Sequence, residues 1–263
     1  MILAVDVGNT NIVLGCIEDG KILNTARIRT EINATSTEYA IKIREVLSLF
    51  RHERDGFKGA ILSSVVPQLN NALSDAIKLV TGEKCIIVGP GMKTGISINI
   101  DDPGTLGCDL LVGAVAAAEC YGYPAIIIDM GTATTITVLN KNGAFGGGAI
   151  MPGVRVSINA LSSGTSLLPS IAIVPPKKAI GTNTADCMRS GVVLGAASMI
   201  DGMIDRFQKE MNAECRLVAT GGLASAIVKE CRHDIVCDDD LLLKGLWILY
   251  CKNRKQGKET TNK

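Results

Sequence analysis

The sequence predicts an α/β protein built from two duplicated halves, near residues 1–117 and 118–263. Two observations support this. Apolar strand-like runs alternate with helix-like segments along the chain, which is typical of α/β folds. A strand–turn–strand pattern at the start of the chain also recurs near its middle. The length of 263 residues is enough for one large domain or two small ones.

The repeated pattern is a β-hairpin with a polar Asp-x-Gly turn and a second, two-residue closing turn. Four pairs of residues match, and the members of each pair are 123 positions apart. These pairs are Asp6 and Asp129, Gly8 and Gly131, Asp19 and Asn142, and Gly20 and Gly143. Two unrelated hairpins could align by chance, but a constant offset over strand, turn and closing turn favours duplication.

Outside the hairpins, the apolar periodicity predicts further helices and strands in alternation. The predicted helices cover residues 36–54, 69–80, 106–121, 187–209 and 222–231. The predicted strands cover residues 60–66, 85–88 and 216–219. The polar, Lys-rich tail from about Lys252 is expected to fray. The acidic run Asp238–Asp240 is expected to be a solvated helix start.

Composition excludes several classes of function. Lys and Arg number 27 and Asp and Glu 26, so the net charge of +1 gives no footprint for nucleic acid or an anionic membrane. The nine cysteines include no C-x-x-C pair and there are only two histidines, His52 and His233, so no zinc site is expected. Without a secretory signal or a convincing transmembrane segment, we expect a cytoplasmic protein with reduced cysteines.

The turns of the two hairpins are the first candidate sites. Gly8-Asn9-Thr10-Asn11 offers a glycine for close approach and several N–H and side-chain donors, which suit a phosphate group. Gly131-Thr132 and the threonines after it offer the same chemistry. Two such turns facing each other across a cleft would hold a polyphosphate from both sides. Alternatively, each is an ordinary turn beside a Thr-rich strand.

Three aspartates are candidates for catalysis or metal binding. Asp6 and Asp129 each end an apolar strand, where a carboxylate is costly unless it is paired or binds a cation. A structural turn-capping role is the alternative for both. Asp109 has mostly apolar neighbours, so we expect a raised pKa or a specific partner, as in a general base acting on an alcohol. It could equally be a helix-capping aspartate after Gly107.

An ordered series of segments resembles the type III pantothenate kinases, a family of the acetate and sugar kinase/Hsp70/actin superfamily. The resemblance extends from residue 2 to about 250 and includes the Asp6 and Asp129 turns. The other segments are Ser63–Pro67, Gly89–Gly95, Gly107–Asp109, Gly146–Gly153, Ile180–Thr184 and Thr220–Gly222.

The resemblance implies two ribonuclease-H-like halves and an enzyme that phosphorylates pantothenate to 4′-phosphopantothenate with ATP, the first step of coenzyme A biosynthesis. It assigns ATP phosphates to Asp6, Val7, Gly8, Asn9, Thr10, Asn11, Ile12, Val13, Gly131 and Thr132. It assigns pantothenate to Gly107, Cys108, Asp109, Leu110 and Thr184, with Asp109 as the base. Asp129 would bind a monovalent cation, K⁺ or NH₄⁺, and Asp6 is a candidate ligand for Mg²⁺. The family also implies a homodimer.

Two positions depart from the family pattern. Leu110 replaces an arginine that usually follows the catalytic aspartate, and Thr182 replaces a frequent lysine. Leucine supplies neither a charge nor a guanidinium fork. This raises the alternative of a catalytically weakened regulatory paralogue that binds ATP or pantothenate. A kinase for a different small alcohol or acid is a third interpretation.

Overall fold

The structure is a computed structural model and describes residues 1–51 and 56–254. The chain forms two compact units. The first comprises Met1–Gly95, Gly107–Val115 and the residues from Leu243 onward, and the second comprises Ile96–Leu106 and Ala116–Leu242. The halves 1–117 and 118–263 remain a prediction about the duplication. His52, the end of the helix predicted over 36–54, and residues 255–263 of the polar tail lie outside the described residues.

The first unit contains a five-stranded sheet in the order β3-β2-β1-β4-β5. Its strands are β1 (Ile2–Val7), β2 (Asn11–Glu18), β3 (Lys21–Arg29), β4 (Ala60–Ser64) and β5 (Cys85–Ile87). The first three strands are antiparallel, and β4 and β5 continue the sheet in parallel with β1. β1 is central, and all six of its residues are buried.

Helices cover both faces of this sheet. α1 (Ser36–Leu49) and α2 (Asn70–Thr81) pack on the face that carries Leu3, Val5 and Val7. α1 starts at a Thr35–Glu38 capping box, which satisfies backbone N–H groups of its first turn. The other face carries Ala4 and Asp6, because side chains alternate along a strand.

The second face of the first sheet is covered by helices from later in the chain. α3 (Cys108–Cys120) and α8 (Leu241–Asn253) approach each other closely, since a Cβ on Gly245 would lie 2.2 Å from the Val112 carbonyl oxygen. Leu243 of α8 lies against Gly15, which pairs with Ala4. α8 therefore covers the face of the sheet that carries Asp6.

The second unit contains a five-stranded sheet in the order β8-β7-β6-β9-β10. These strands correspond in turn to β3-β2-β1-β4-β5 of the first sheet. Its strands are β6 (Ala125–Met130), β7 (Ala133–Leu139), β8 (Phe145–Pro152), β9 (Arg216–Thr220) and β10 (Val236–Cys237). β6 and β7 form an antiparallel hairpin, and β9 lies parallel to β6 on its other side. The same order and the same strand directions confirm the duplication that the 123-residue offset predicts.

The helices of the second unit pack on its sheet around one apolar core. They are α4 (Val154–Gly164), α5 (Thr184–Arg189), α6 (Gly195–Met211) and α7 (Ala224–Ile227). A π-helical turn, Ser190–Leu194, joins α5 to α6. The expectation that the whole run Asp238–Asp240 is solvated is wrong for Asp238, which is buried and accepts a hydrogen bond of 2.8 Å from the Tyr121 hydroxyl.

Among the residues that the structure describes, one helical run is long and apolar enough to cross a membrane by length and composition. This run, Thr184–Met211, consists of α5, the π-helical turn and α6. Val193, Ala197, Ile200 and Ile204 from this run belong to the core of the second unit. Core helices of globular units meet the same criterion, so the criterion adds no argument for a membrane span.

Candidate active site

The turn between β1 and β2 presents polar residues at the end of the central strand. The Gly8 N–H closes the turn on the Asn11 carbonyl at 3.0 Å. Asn9, Thr10 and Asn11 are exposed. Val7 and Ile12 are buried in the core, so only their backbone groups remain for the predicted ATP contacts, and Val13 is half-buried.

Thr30, just after β3, forms two hydrogen bonds to this turn. Its hydroxyl donates to the Gly8 carbonyl at 2.7 Å, and its backbone N–H donates to the Thr10 carbonyl at 3.0 Å. Two bonds from one residue fix both ends of the segment Gly8–Thr10. Thr30 is a positioning residue that the sequence gives no motif to identify.

We expect Thr30→Val to loosen the turn, because valine keeps the shape of threonine but lacks the hydroxyl that holds Gly8. The loss of one such hydrogen bond should lower the free energy of unfolding by about 1 kcal/mol. The resemblance assigns ATP phosphates to this turn, so the KM for ATP should rise while the KM for pantothenate stays the same, as steady-state kinetics would show. Thr25→Val, at an exposed position of β3, is the matched control, and an equal KM effect there would contradict this assignment.

Asp6 lies next to the β1–β2 turn and is largely buried, with 9% of its surface exposed. It faces Val13 on β2 and Ser63 on β4 in the sheet register. A buried carboxylate at a strand end fits a cation, because carboxylates are preferred ligands of Mg²⁺.

Asp109 lies in the first turn of α3, in the same unit as Asp6. One of its carboxylate oxygens accepts a hydrogen bond of 2.8 Å from the Leu110 N–H. A Cβ on Gly107 would lie 2.6 Å from this oxygen, so the glycine leaves the space that the carboxylate occupies. Burial raises the pKa of Asp109 above its ordinary value. The carboxylate is thus held at a helix start and also has the raised pKa expected of a general base.

Cys108 connects Asp109 to the strand ends of the first sheet. Its thiol donates a hydrogen bond of 3.4 Å to the carbonyl of Val88, directly after β5. Burial chiefly raises the pKa of this thiol, and the negative charges of Asp109 and Asp6 add to the effect. The thiol therefore lies near both carboxylates, which the first unit brings together where its parallel strands end.

In the second unit, the predicted residues Asp129, Gly131 and Thr132 lie at the corresponding end of the central strand. Asp129 is half-buried near the end of β6, and Gly131 and Thr132 form the exposed turn to β7. Gly153 packs directly under this turn, because a Cβ there would lie 2.2 Å from the Thr132 carbonyl oxygen and 2.8 Å from that of Gly131. Gly221, with φ +96°, packs as closely on the backbone of Met130.

Thr184 lies on a different element of the second unit. It is the exposed first residue of α5. Asn183 caps this helix by accepting a bond of 2.9 Å from the Asp186 N–H. The bonds from Asn183 and Arg189 lower the pKa of the Asp186 carboxyl. The cap fixes the direction of α5 and exposes the Thr184 side chain to solvent.

No group of three or more His, Cys, Asp or Glu side chains forms a metal cluster within the described part of the chain. The ring nitrogen Nε2 of His233 lies 2.8 Å from an Asp205 oxygen. The single carboxylates Asp6 and Asp129 instead fit cations that take most of their ligands from water or a nucleotide phosphate.

Two sheets of the same strand order, each with an aspartate near the end of its central strand and a glycine-containing turn after it, define the class of protein. It is a duplicated α/β protein with one five-stranded sheet in each unit. The fold also matches component A of (R)-2-hydroxyglutaryl-CoA dehydratase from Acidaminococcus fermentans, with a TM-score of 0.56 and 16% identity over 95% of this chain and 96% of that one.

A family model described as type III pantothenate kinase matches residues 2–206, and the chain belongs to this family. A type III pantothenate kinase of Halalkalibacterium halodurans is 43% identical over 96% of this chain and 100% of its own length. One of Bacillus cytotoxicus is 40% identical over 96% of this chain and 97% of its own length. Family membership identifies an ATP-dependent kinase that phosphorylates pantothenate, and the comparisons give no support to the regulatory alternative.

Proposed function

We propose that this kinase uses Asp109 as the general base for transfer of the ATP γ-phosphoryl group to the pantothenate hydroxyl. The observation that carries the proposal is the Asp109 carboxylate, which is half-buried, has a pKa raised by burial and is held by the Leu110 N–H. A raised pKa makes a carboxylate a better proton acceptor near neutral pH, provided that it is still ionised there.

In the proposed reaction, the substrate hydroxyl attacks the γ-phosphorus in line, and its proton passes to Asp109. The bond from the γ-phosphorus to the bridging oxygen breaks, and ADP leaves. Phosphoryl transfer depends mostly on positioning and on neutralisation of phosphate charge. The N–H groups and side chains of Gly8–Asn11 in the first unit and of Gly131–Thr132 in the second would supply donors to the phosphates. Gly107, Cys108, Leu110 and Thr184 would contact pantothenate.

Two cations complete the proposal. Mg²⁺, bound with ATP, would be held through Asp6 and would neutralise phosphate charge. A monovalent cation, K⁺ or NH₄⁺, would be held by Asp129. Both carboxylates lie near the ends of apolar strands, where a bound cation would offset part of the cost of removing a charge from water.

The monovalent-cation assignment predicts that ADP release with pantothenate is faster in K⁺ or NH₄⁺ than in Na⁺ or Tris buffers of equal ionic strength. Asp129→Asn should abolish this stimulation, because the amide carries no charge to hold the cation. Coupled-enzyme measurement of ADP over a series of K⁺ concentrations tests both statements. The assignment is wrong if the variant keeps the same K⁺ dependence as the wild type. Asp101→Asn, at an exposed position of the same unit, is the control.

The protein is also proposed to act as a homodimer through the second unit. This unit exposes several large apolar side chains within a stretch of about thirty residues. They are Ile150, Val156, Leu161, Leu167, Val174 and Ile180, and they are between 40% and 89% exposed. A neighbouring apolar groove of about 510 Å³ is lined by Val154, Leu161, Met188, Val192 and Met199, among others. Exposed apolar side chains close together in the chain, beside an apolar groove, favour a protein–protein interface here.

Ile180→Asp should therefore shift the protein from dimer to monomer, because the charge would be buried in the interface. Sedimentation velocity at micromolar concentrations would measure the change. Ile32→Asp alters a side chain of similar exposure in the first unit (58% against 83%) and should leave the dimer intact. A monomeric wild type, or a dimer unaffected by Ile180→Asp, would contradict this interface.

A cytoplasmic location completes the proposal. None of the nine cysteines forms a disulfide in the structure. Free cysteines of this number suit a reducing compartment.

A further inference from the structure

We propose that Ser63 is a positioning residue for the Asp6 carboxylate, which its hydroxyl would hold when Mg²⁺ and ATP are bound. The inference rests on the proposed function, because it concerns the metal–nucleotide complex assigned to Asp6. Ser63 begins the family-like segment Ser63–Pro67, to which the resemblance assigns no role, and its neighbours in the structure point to this one.

The first observation is that the Ser63 hydroxyl is buried without a partner. The residue is 0% exposed, and its Oγ makes no hydrogen bond. The next residue differs, because the Ser64 Oγ accepts a bond of 3.0 Å from the Val66 N–H. A buried hydroxyl without a partner is rare and costs free energy, so its presence calls for an explanation.

The second observation is the position of Ser63 in the sheet. It is the register partner of Asp6 on the neighbouring parallel strand. Adjacent strands lie about 4.8 Å apart and register partners project to the same face, so both side chains lie side by side. A serine hydroxyl rotates freely about its Cβ–Oγ bond and would donate to a carboxylate at this spacing after a small side-chain movement.

The third observation is that the duplication repeats this arrangement. In the second unit, Asp129 on β6 has Thr220 on β9 as its register partner. Thr220 is likewise buried, at 3% exposed. Both strand-end aspartates therefore have a hydroxyl residue beside them on the parallel strand. This pairing in both units is consistent with a shared role in orienting a cation-binding carboxylate.

A carboxylate that binds a metal through one oxygen usually accepts a hydrogen bond on the other, and this bond orients the ligand. When the protein folds without ligand, the Ser63 hydroxyl gives up its hydrogen bonds to water and forms none in return. In the complex, a hydrogen bond to Asp6 would replace those lost bonds and strengthen binding of the metal and nucleotide. Removal of the hydroxyl should therefore have opposite effects on the ligand-free fold and on metal–nucleotide affinity.

The test is Ser63→Ala, studied by calorimetric titration with a non-hydrolysable ATP analogue in the presence of Mg²⁺ and in the presence of EDTA. We expect the Kd with Mg²⁺ to rise about 10-fold, which corresponds to about 1.4 kcal/mol. The Kd in EDTA should not change. The Tm of the ligand-free variant should equal or exceed that of the wild type, because the unpartnered hydroxyl is gone.

Ser64→Ala is the matched control on the next residue. It removes the bond to Val66, so its ligand-free Tm should fall while its Kd with Mg²⁺ stays near the wild-type value. If Ser63→Ala instead lowers the Tm and leaves the Kd with Mg²⁺ unchanged, the hydroxyl is structural and the inference is overturned. If the wild type itself shows no Mg²⁺-dependent binding of the analogue, the proposed function fails first, and the two failures are thus distinguished.

Discussion

Asp109→Asn should lower kcat by at least ~10²-fold, the usual effect of removing a general base. The amide has the shape of the carboxylate and would still accept the hydrogen bond that Leu110 donates. It cannot accept a proton from the attacking hydroxyl. The affinities for ATP and pantothenate should therefore change much less than kcat.

The same variant should fold at least as stably as the wild type at pH 7. Burial raises the pKa of Asp109 in the folded state. Between its unfolded and folded pKa values, the folded state binds more protons, so stability falls as pH rises through that interval. At pH 7 the cost of the buried charge is present in full, and asparagine removes it. Urea unfolding at pH 7 would measure the difference.

Asp75→Asn, on an exposed face of α2, is the matched control and should change neither kcat nor stability.

The raised pKa of Asp109 also predicts the acid side of the pH–rate profile. The activity should fall as pH decreases through a pKa above that of an ordinary aspartate, because protonated Asp109 is not a base. Full activity in Asp109→Asn would remove this residue from the chemistry.

Gly153→Ala should disable the β6–β7 turn, and it is the second variant with a large expected effect. The new Cβ would lie 2.2 Å from the Thr132 carbonyl oxygen. Because this neighbour is a backbone atom, the turn or the segment around Gly153 would have to shift to relieve the clash. Overpacking of this kind costs about 1–3 kcal/mol of stability. A shift of about 1 Å in groups that position ATP can cost ~10²-fold in rate, so kcat/KM for ATP should fall by about that factor.

Gly164→Ala, at the end of the helix that starts after Gly153, is the control. A Cβ there meets nothing within 4 Å, and alanine favours the helix over glycine, so stability should hold or increase slightly. Thermal unfolding and ATP kinetics of the two variants, measured together, separate a steric effect at the turn from a general effect of glycine replacement. Unchanged ATP kinetics in Gly153→Ala would show that the turn does not contact ATP.

The central strands and the helices α1, α2, α3 and α6 were predictable from the sequence because their signals are local, whereas α4 was not predicted and only the start of α8 was. Apolar runs predict β1 and β6, and the constant offset between Asp6 and Asp129 predicts the shared strand order. β3 and β8 were not predicted. β3 alternates exposed and half-buried residues at a sheet edge, and β8 contains three consecutive glycines, so neither has the apolar run that marks a central strand.

The predicted site residues are those that carry their own chemistry, such as Asp109. The residues that support them could not be predicted, because their roles depend on contacts distant in sequence. Thr30 reaches Gly8 across 22 positions, and Gly153 meets Thr132 only after β8 has returned along β7. Ser63 becomes a candidate only when the parallel register places it beside Asp6.

The central claim is that the chain transfers phosphate to pantothenate although Leu110 stands where the family pattern has arginine. The most direct measurement is the product itself, identified by mass spectrometry and ³¹P NMR after incubation with ATP, Mg²⁺, K⁺ and pantothenate. We expect one 4′-phosphopantothenate for each ADP released. ATP binding without this product would contradict the account, and recovery of turnover in Leu110→Arg would then identify the missing cation as the reason.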